Sequence, residues 1–200
     1  MQKEWLGLTD YEEALKLQSQ VKNMVLGLEH PVTITMGRRA DPLKDVKVGF
    51  LELKKHNIPI VAIDRGGQAT LHSPGQLVIY PIVNLEEMDI GVRQFVELLE
   101  NTTMDFMSRY NIKVERKEGA PGLYTEKGKI VFIGLRVKNH MVSHGLAINV
   151  YNELDLFGMI RSCGNPTEAF DRMIDHGVNA PPKSLFFDWF DCLKDNLNRL

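Results

Sequence analysis

A cysteine and its candidate bases are the residues of this sequence whose types could carry a covalent reaction. Cys163 lies in a short polar segment, Arg161 to Pro166, where a thiol is more accessible than inside an apolar stripe. A nucleophilic thiolate needs a group that removes the thiol proton, because a free thiol with a pKa of about 8.5 is mostly protonated at neutral pH. The candidate bases are Lys129, His72 and His144, and their spacing does not choose between them. An inert thiol is the alternative interpretation.

Two arrangements of glycine predict that a ligand can approach the backbone closely. Gly66 and Gly67 follow Arg65 and could offer N–H groups to an oxyanion, although a turn-rich loop is the plainer interpretation. Gly134 and Gly145 lie in two predicted neighbouring strands. If those strands form a hairpin, the two glycines fall opposite each other and leave a gap on one face of the sheet, which suits a ligand.

Lys129 begins the first of these two strands. On a regular strand its side chain would point to the same face as Val131 and Ile133, which is mostly apolar. Apolar surroundings disfavour the charged form of lysine, so its pKa should fall and the amine could act as a base. The alternative is that Lys129, beside a turn, extends into water.

The composition is that of a soluble globular protein, and we expect one domain, residues 1–200. Hydrophobic residues make up 44% and charged residues 25%, and the net charge of −2 does not indicate nucleic-acid binding. No apolar run approaches the roughly 20 residues of a membrane helix, and the N-terminus does not have the pattern of a secretory signal. Cys192 lies in an apolar stripe and is predicted to pack in the core. Two cysteines are too few for a disulfide framework, so we expect a cytoplasmic protein.

The order of the predicted helices and strands indicates an α+β domain, with a mixed, mostly antiparallel sheet flanked by helices. Apolar residues at helical spacing predict long helices over Thr9–Leu28 and Asp89–Tyr110 and a last helix after Ser184. The predicted strands are Val32–Met36, Ile58–Ile63, Gln76–Val83, a stretch from Ile112, Gly122–Thr125, Lys129–Val137 and Val142–Val150, with short helices at Leu154–Arg161 and Thr167–Ile174.

In their order and spacing these segments resemble the lipoyl(octanoyl) transferase family, the octanoyl-carrier-protein:protein N-octanoyltransferases. A Gly-Gly loop occurs in many folds, but this loop followed by Pro-Gly-Gln, a Lys-Ile strand, a Ser-His-Gly-Leu-Ala strand and Cys-Gly is a specific combination. The sequence departs from the family pattern at Ser73, Ser162 and Asn165, where Gly, Pro and an apolar residue are usual. The matching pieces are Leu28 to Pro31 with Gly37-Arg38, Arg65 to Pro81, Lys129 to Asn149, and Cys163-Gly164.

The resemblance implies a biotin/lipoate protein ligase-like fold and a mechanism that uses a cysteine and a lysine. Cys163 would attack the thioester of octanoyl-acyl carrier protein, while Lys129 would lower the pKa of Cys163 and shuttle protons. The octanoyl group would then pass to a lysine of a lipoyl domain, in a 2-oxoacid dehydrogenase complex or the glycine cleavage H protein. The resemblance implies no metal and no other cofactor, and we expect a monomer. It also implies an acyl site formed by Arg65, Gly66, Gly67, Gln68, Ala69, Thr70, Leu71, His72, Phe132, Ile133, Gly134, Gly145, Leu146 and Ala147.

Three other activities remain open from the sequence. A lipoate or biotin ligase of the same fold would activate its acid with ATP and would need no cysteine. An amidotransferase that moves a lipoyl or octanoyl group between carrier proteins would also use Cys163. A non-catalytic module that binds acyl groups or carrier proteins would use neither Cys163 nor Lys129 chemically.

Overall fold

A seven-stranded sheet forms the centre of the computed structural model, which describes residues 1–161 and 168–199. The strand order is β1-β2-β6-β10-β9-β8-β7, and every neighbouring pair is antiparallel except β1 and β2. The sheet is therefore mixed and mostly antiparallel, as predicted. Its strands are β1 (Gln2–Leu8), β2 (Met24–Glu29), β6 (Gln76–Ile82), β7 (Glu115–Lys117), β8 (Ala120–Tyr124), β9 (Lys129–Lys138) and β10 (Met141–Asn149).

A second, three-stranded sheet has the order β4-β3-β5 and carries the glycine-rich segment. In it β3 pairs parallel with β4 and antiparallel with β5. The described helices lie around the two sheets. The remaining elements are β3 (Thr33–Met36), β4 (Ile60–Ala62), β5 (Ala69–His72), α1 (Tyr11–Gln20), α2 (Pro42–Asp45), α3 (Phe50–Lys55), α4 (Val92–Arg109), α5 (Pro182–Leu197) and the 3-10 helices Leu154–Met159 and Met173–His176.

The large sheet is buried on both faces, and the alternation along β6 shows it. Leu77 and Ile79 belong to an apolar cluster that includes the inner faces of α4 and α5. Val78 and Tyr80 belong to a second cluster, shared with α1 and the small sheet. Because successive side chains on a strand point to opposite faces, one strand contributes to both clusters. The functional cavity described below lies on the second of these faces.

The structure corrects the prediction of one long helix over Thr9–Leu28. The helix α1 ends at Gln20, and the chain turns through Asn23, whose φ is 53°, into the buried strand β2. The apolar residues after the turn are strand residues buried in the sheet, and short apolar runs do not distinguish a strand from a buried helix. The predicted helix Thr167–Ile174 is also wrong in its described part, where the 3-10 helix begins only at Met173.

No helix in residues 1–161 and 168–199 is long and apolar enough to cross a membrane.

Candidate active site

A cavity of about 390 Å³ opens between the glycine-rich segment and the hairpin of β9 and β10. Each of these two segments contributes a glycine pair, and the small sheet and the large sheet face each other across the cavity. The residues predicted for the acyl site line it, with one exception. They are Arg65, Gly66, Gly67, Gln68, Ala69, Thr70, His72, Phe132, Ile133, Gly134, Gly145, Leu146 and Ala147. The exception is Leu71, which is fully buried in the second apolar cluster and does not line the cavity.

Lys129 lies in the wall of this cavity and is only 1% exposed. Its Nζ atom lies 5.2 Å from the ring centroid of Tyr124 and 5.3 Å from that of Phe132. The main chain of Lys129 is fixed as well, since its N–H donates to the carbonyl of Ala169 and its carbonyl accepts from the N–H of Asp171. The alternative that Lys129 extends into water is therefore wrong.

The prediction that Lys129 shares a face with Val131 is also wrong, and a β-bulge is the reason. Across the β8–β9 pair Leu123 faces Val131, but Tyr124 faces Lys129, so Ile130 is an extra residue on β9. An extra residue reverses the alternation of side chains beyond it. Val131 therefore packs in the first apolar cluster, while Lys129 turns to the cavity.

Tyr124 and Glu168 line the cavity beside Lys129, and the motifs of the sequence did not point to either. The phenol of Tyr124 donates a hydrogen bond of 3.1 Å to Oε1 of Glu168. Burial raises the pKa of Tyr124, and the charge and hydrogen bond of Lys129 act in the opposite direction. Lys129, Tyr124 and Glu168 thus form a connected polar group in a mostly apolar wall.

Arg65 holds the glycine-rich segment in place from inside. Its guanidinium donates to the carbonyl of Gly66 and to both the carbonyl and the hydroxyl of Thr35 on β3. The N–H of Gly66 donates to the carbonyl of Leu135 at 2.9 Å, which ties the segment to β9. That N–H therefore already donates a hydrogen bond within the protein, and an oxyanion would need other hydrogen-bond donors.

Gly134 and Gly145 face each other across the β9–β10 pair, as the hairpin prediction required. The space beside Gly134 is taken by Arg65, since a Cβ atom there would lie 3.1 Å from Arg65 Cδ. At Gly145 a Cβ atom would lie 2.0 Å from the carbonyl oxygen of Ile79 on β6. The two glycines thus let Arg65 and β6 approach the hairpin, which brings the walls of the cavity together.

His72 and Tyr80 line the cavity, and the buried ring of His30 packs against both of them from behind. The ring of His30 contacts the carbonyl of Thr9 through Nδ1 at 2.7 Å and the hydroxyl of Tyr80 through Nε2 at 2.8 Å. Its partner His72 contacts Gln76 Oε1 through Nδ1 at 2.7 Å. Burial lowers the pKa of His30 to about 4, and burial with the neighbouring charge of His30 lowers that of His72 to about 3. Both rings are therefore neutral at pH 7.

Acidification should destabilise the folded chain, because the fold keeps the imidazoles of His30 and His72 neutral whereas the unfolded chain lets them take up protons. Their pKa values fall from 6.5, so the unfolded chain binds more protons; their contribution is complete above pH 6.5 and is lost as the pH falls toward about 4. Each ring adds a slope of up to about 1.4 kcal/mol per pH unit to the free energy of unfolding. Urea unfolding at pH 7 and pH 5 measures this pH dependence of the free energy of unfolding. His30→Gln should flatten the slope, whereas the exposed His56→Gln should not; equal slopes in all three proteins would contradict this account.

His144 lies at the edge of the cavity in a left-handed conformation, with φ of 58°. Its main-chain N–H donates to Gln18, and its Nε2 lies 3.1 Å from Oδ1 of Asp64. Burial lowers the pKa of His144, and the carboxylate of Asp64 opposes that shift. Arg136 also pairs with Asp64, so His144 is held by several partners at the surface end of the hairpin.

The two cysteines have different positions with respect to the described residues. Cys163 lies outside residues 1–161 and 168–199, so its distance from Lys129 is not part of the description. The segment leading to it is anchored by the N–H of Arg161, which donates to the carbonyl of Asp45 at 2.7 Å. Cys192 is 1% exposed in the core, as predicted. In the described ranges no three His, Cys, Asp or Glu side chains are grouped so as to hold a metal ion.

The lipoyl protein ligase A/B catalytic domain is the family that matches this chain, over residues 8–180. An octanoyltransferase from Methylococcus capsulatus is 39% identical over 153 residues, which are 76% of this chain and 70% of that protein. An octanoyltransferase from Laribacter hongkongensis is 38% identical over 183 residues, 88% of this chain and 85% of that protein.

Solved structures with a similar fold include lipoate ligases. Lipoate-protein ligase A bound with ATP superposes with a TM-score of 0.80 at 12% identity, covering 99% of this chain and 86% of that one. The putative lipoate protein ligase Ta0514 from T. acidophilum, with bound lipoic acid, gives a TM-score of 0.78 at 14% identity, covering 99% and 87%. At such low identities the likeness concerns the fold, which is the predicted biotin/lipoate ligase-like fold.

Proposed function

Because the chain belongs to the lipoyl protein ligase A/B catalytic-domain family, we propose that it moves an octanoyl group from the thioester of an acyl carrier protein to a lysine of a lipoyl domain. Its octanoyltransferase relatives support an acyltransferase of lipoate assembly. The observation that carries the proposal is the placement of Lys129, a fully buried lysine in the wall of a largely apolar cavity.

The cavity has the chemistry that an octanoyl chain and a thioester need at its two ends. Its apolar lining includes Phe132, Ala147 and Val78, which would shield a hydrocarbon chain from water. Lys129, Tyr124 and Glu168 supply the polar groups that handle protons. Such a division of a pocket into an apolar body and a few polar groups is typical of small-ligand sites.

Cys163 is the nucleophile in this proposal, and Lys129 is the group that handles its proton. The thiolate of Cys163 attacks the donor's thioester carbonyl, the carrier's sulfur leaves, and an octanoyl-enzyme thioester remains. A cation near the sulfur stabilises the thiolate and lowers the pKa of the thiol. A nucleophilic free thiol also supports a reducing compartment such as the cytoplasm.

An ATP-dependent ligase is the second candidate, since the solved neighbours include a lipoate-protein ligase A bound with ATP. The identity to that protein is 12%, whereas the octanoyltransferase from Methylococcus capsulatus is 39% identical. The octanoyl donor therefore decides between the two functions. A transferase starts from a thioester and needs no nucleotide, while a ligase starts from the free acid and consumes ATP.

The test is a transfer assay with purified octanoyl-carrier protein and an unmodified lipoyl domain, without nucleotide. We expect the mass of the lipoyl domain to rise by one octanoyl group. A reaction that starts from free octanoate and depends on ATP would replace the proposal with a ligase. Transfer from an octanoylated carrier domain, with none from the octanoyl-carrier protein, would replace it with an amidotransferase. No transfer from any donor would leave a non-catalytic module.

A further inference from the structure

Glu168 is a carboxylate in the cavity whose second oxygen has no hydrogen-bond partner among the residues that the structure describes. Its Oε1 accepts the hydrogen bond of Tyr124 at 3.1 Å, and the residue lines the cavity with Lys129. Its Oε2 is shielded from water and has no hydrogen-bond partner in residues 1–161 and 168–199. Buried polar atoms without partners are rare in proteins, and each asks for an explanation such as a ligand. The free oxygen of Glu168 therefore indicates a ligand that donates hydrogen bonds.

The reaction of the proposed function brings one strong cationic donor into this cavity. The octanoyl chain and its thioester carbon offer no N–H or O–H group. The acceptor lysine offers an ammonium with three donors, and a carboxylate is its preferred partner. Lys129 belongs to the same polar group through Tyr124, so a carboxylate here also balances a second positive charge entering the cavity.

We propose that Glu168 binds the ε-ammonium of the acceptor lysine and removes its first proton. This assignment rests on the proposed function. The ammonium must become a neutral amine before its nitrogen can attack the thioester carbonyl. The carboxylate takes that proton and later releases it to water. The C–N bond then forms, the C–S bond to Cys163 breaks, and the second amine proton passes by way of Lys129 to the departing sulfur. An ammonium and a thioester become an amide, a thiol and one released proton.

Glu168→Gln separates this role from that of a counter-ion for Lys129. The amide keeps the shape of the side chain and an oxygen that can accept from Tyr124, but it cannot take a proton. The rate at which octanoyl-carrier protein loads the enzyme, measured by intact mass, should stay within about twofold of wild type. Transfer from the octanoyl-enzyme to the lipoyl domain should fall about 100-fold or more, the size of a lost general base. Hydroxylamine, largely uncharged at neutral pH, should still cleave the octanoyl-enzyme at the wild-type rate.

Glu126→Gln is the matched control, since Glu126 is exposed on the turn after β8, and both half-reactions should be normal in it. Equal slowing of loading and transfer in Glu168→Gln would make Glu168 a partner of Lys129 and overturn the proposal. Wild-type rates in both steps would overturn it as well. If wild-type protein forms no octanoyl-enzyme at all, the proposed function itself fails and this assignment fails with it, so the two failures are distinguishable.

Discussion

Replacing Cys163 with alanine should abolish octanoyl transfer, lowering kcat/KM by at least about 10³-fold. A covalent route depends on a thiolate that carries the acyl group between donor and acceptor, and no other group can hold the thioester once the sulfur is removed. Incubation with octanoyl-carrier protein should give the wild-type chain an adduct of one octanoyl group that hydroxylamine removes. Intact mass of Cys163→Ala under the same conditions should show no adduct.

Cys192→Ala is the control for this experiment, because it removes the other thiol. Cys192 is buried in the core, and burial raises the pKa of its thiol to about 11, so it is protonated and inert at pH 7. The variant should form the adduct and transfer the acyl group normally, with at most a modest loss of stability from the smaller side chain. An adduct that persists in Cys163→Ala, or disappears in Cys192→Ala, would reject Cys163 as the acyl carrier.

Local sequence patterns predicted the structure of each cavity wall, since each wall comes from residues close in sequence, but the pairing of the two walls in one acyl site was implied by the resemblance to the octanoyltransferase family. Arg65, Gly66 and Gly67 lie together because they are consecutive, and Gly134 meets Gly145 because a short hairpin joins their strands. Alternation and turn signals capture such local relations. The same reasoning places Leu71 beside its neighbours, yet its side chain points from β5 into the core. A contiguous motif thus predicts the position of a strand better than the direction of every side chain in it.

The contacts that could not be predicted depend on irregular or long-range geometry. Lys129 faces the cavity only because Ile130 is an extra residue in the ladder, and a bulge leaves no clear signal in a single sequence. Glu168 reaches Tyr124 across 44 residues, a contact that no local pattern encodes. The helix predicted through Met24 failed because tertiary burial, and not helical periodicity, explains the apolar residues after Asn23.

Replacing Lys129 with methionine should reduce formation of the octanoyl-enzyme about 10²- to 10⁴-fold, the range of a lost general acid–base group. Methionine is unbranched and adapts to irregular apolar space, so it can fill the volume beside Tyr124 and Phe132. The main-chain bonds of Lys129 to Ala169 and Asp171 do not involve the side chain and should persist. Removing one member of a buried polar group costs stability, so the melting temperature should fall modestly while the chain stays folded and loading falls far more.

Lys138→Met is the matched control for Lys129→Met, because Lys138 ends the same strand and is exposed. It should retain wild-type loading and transfer. Thermal unfolding is measured beside loading, because a variant that does not fold would lose activity for that reason alone. Near-normal loading by folded Lys129→Met would reject the lysine as the partner of Cys163. The proton would then have to pass to a histidine of the same cavity, and His72, kept neutral by burial, is the ring whose replacement by glutamine should then stop loading.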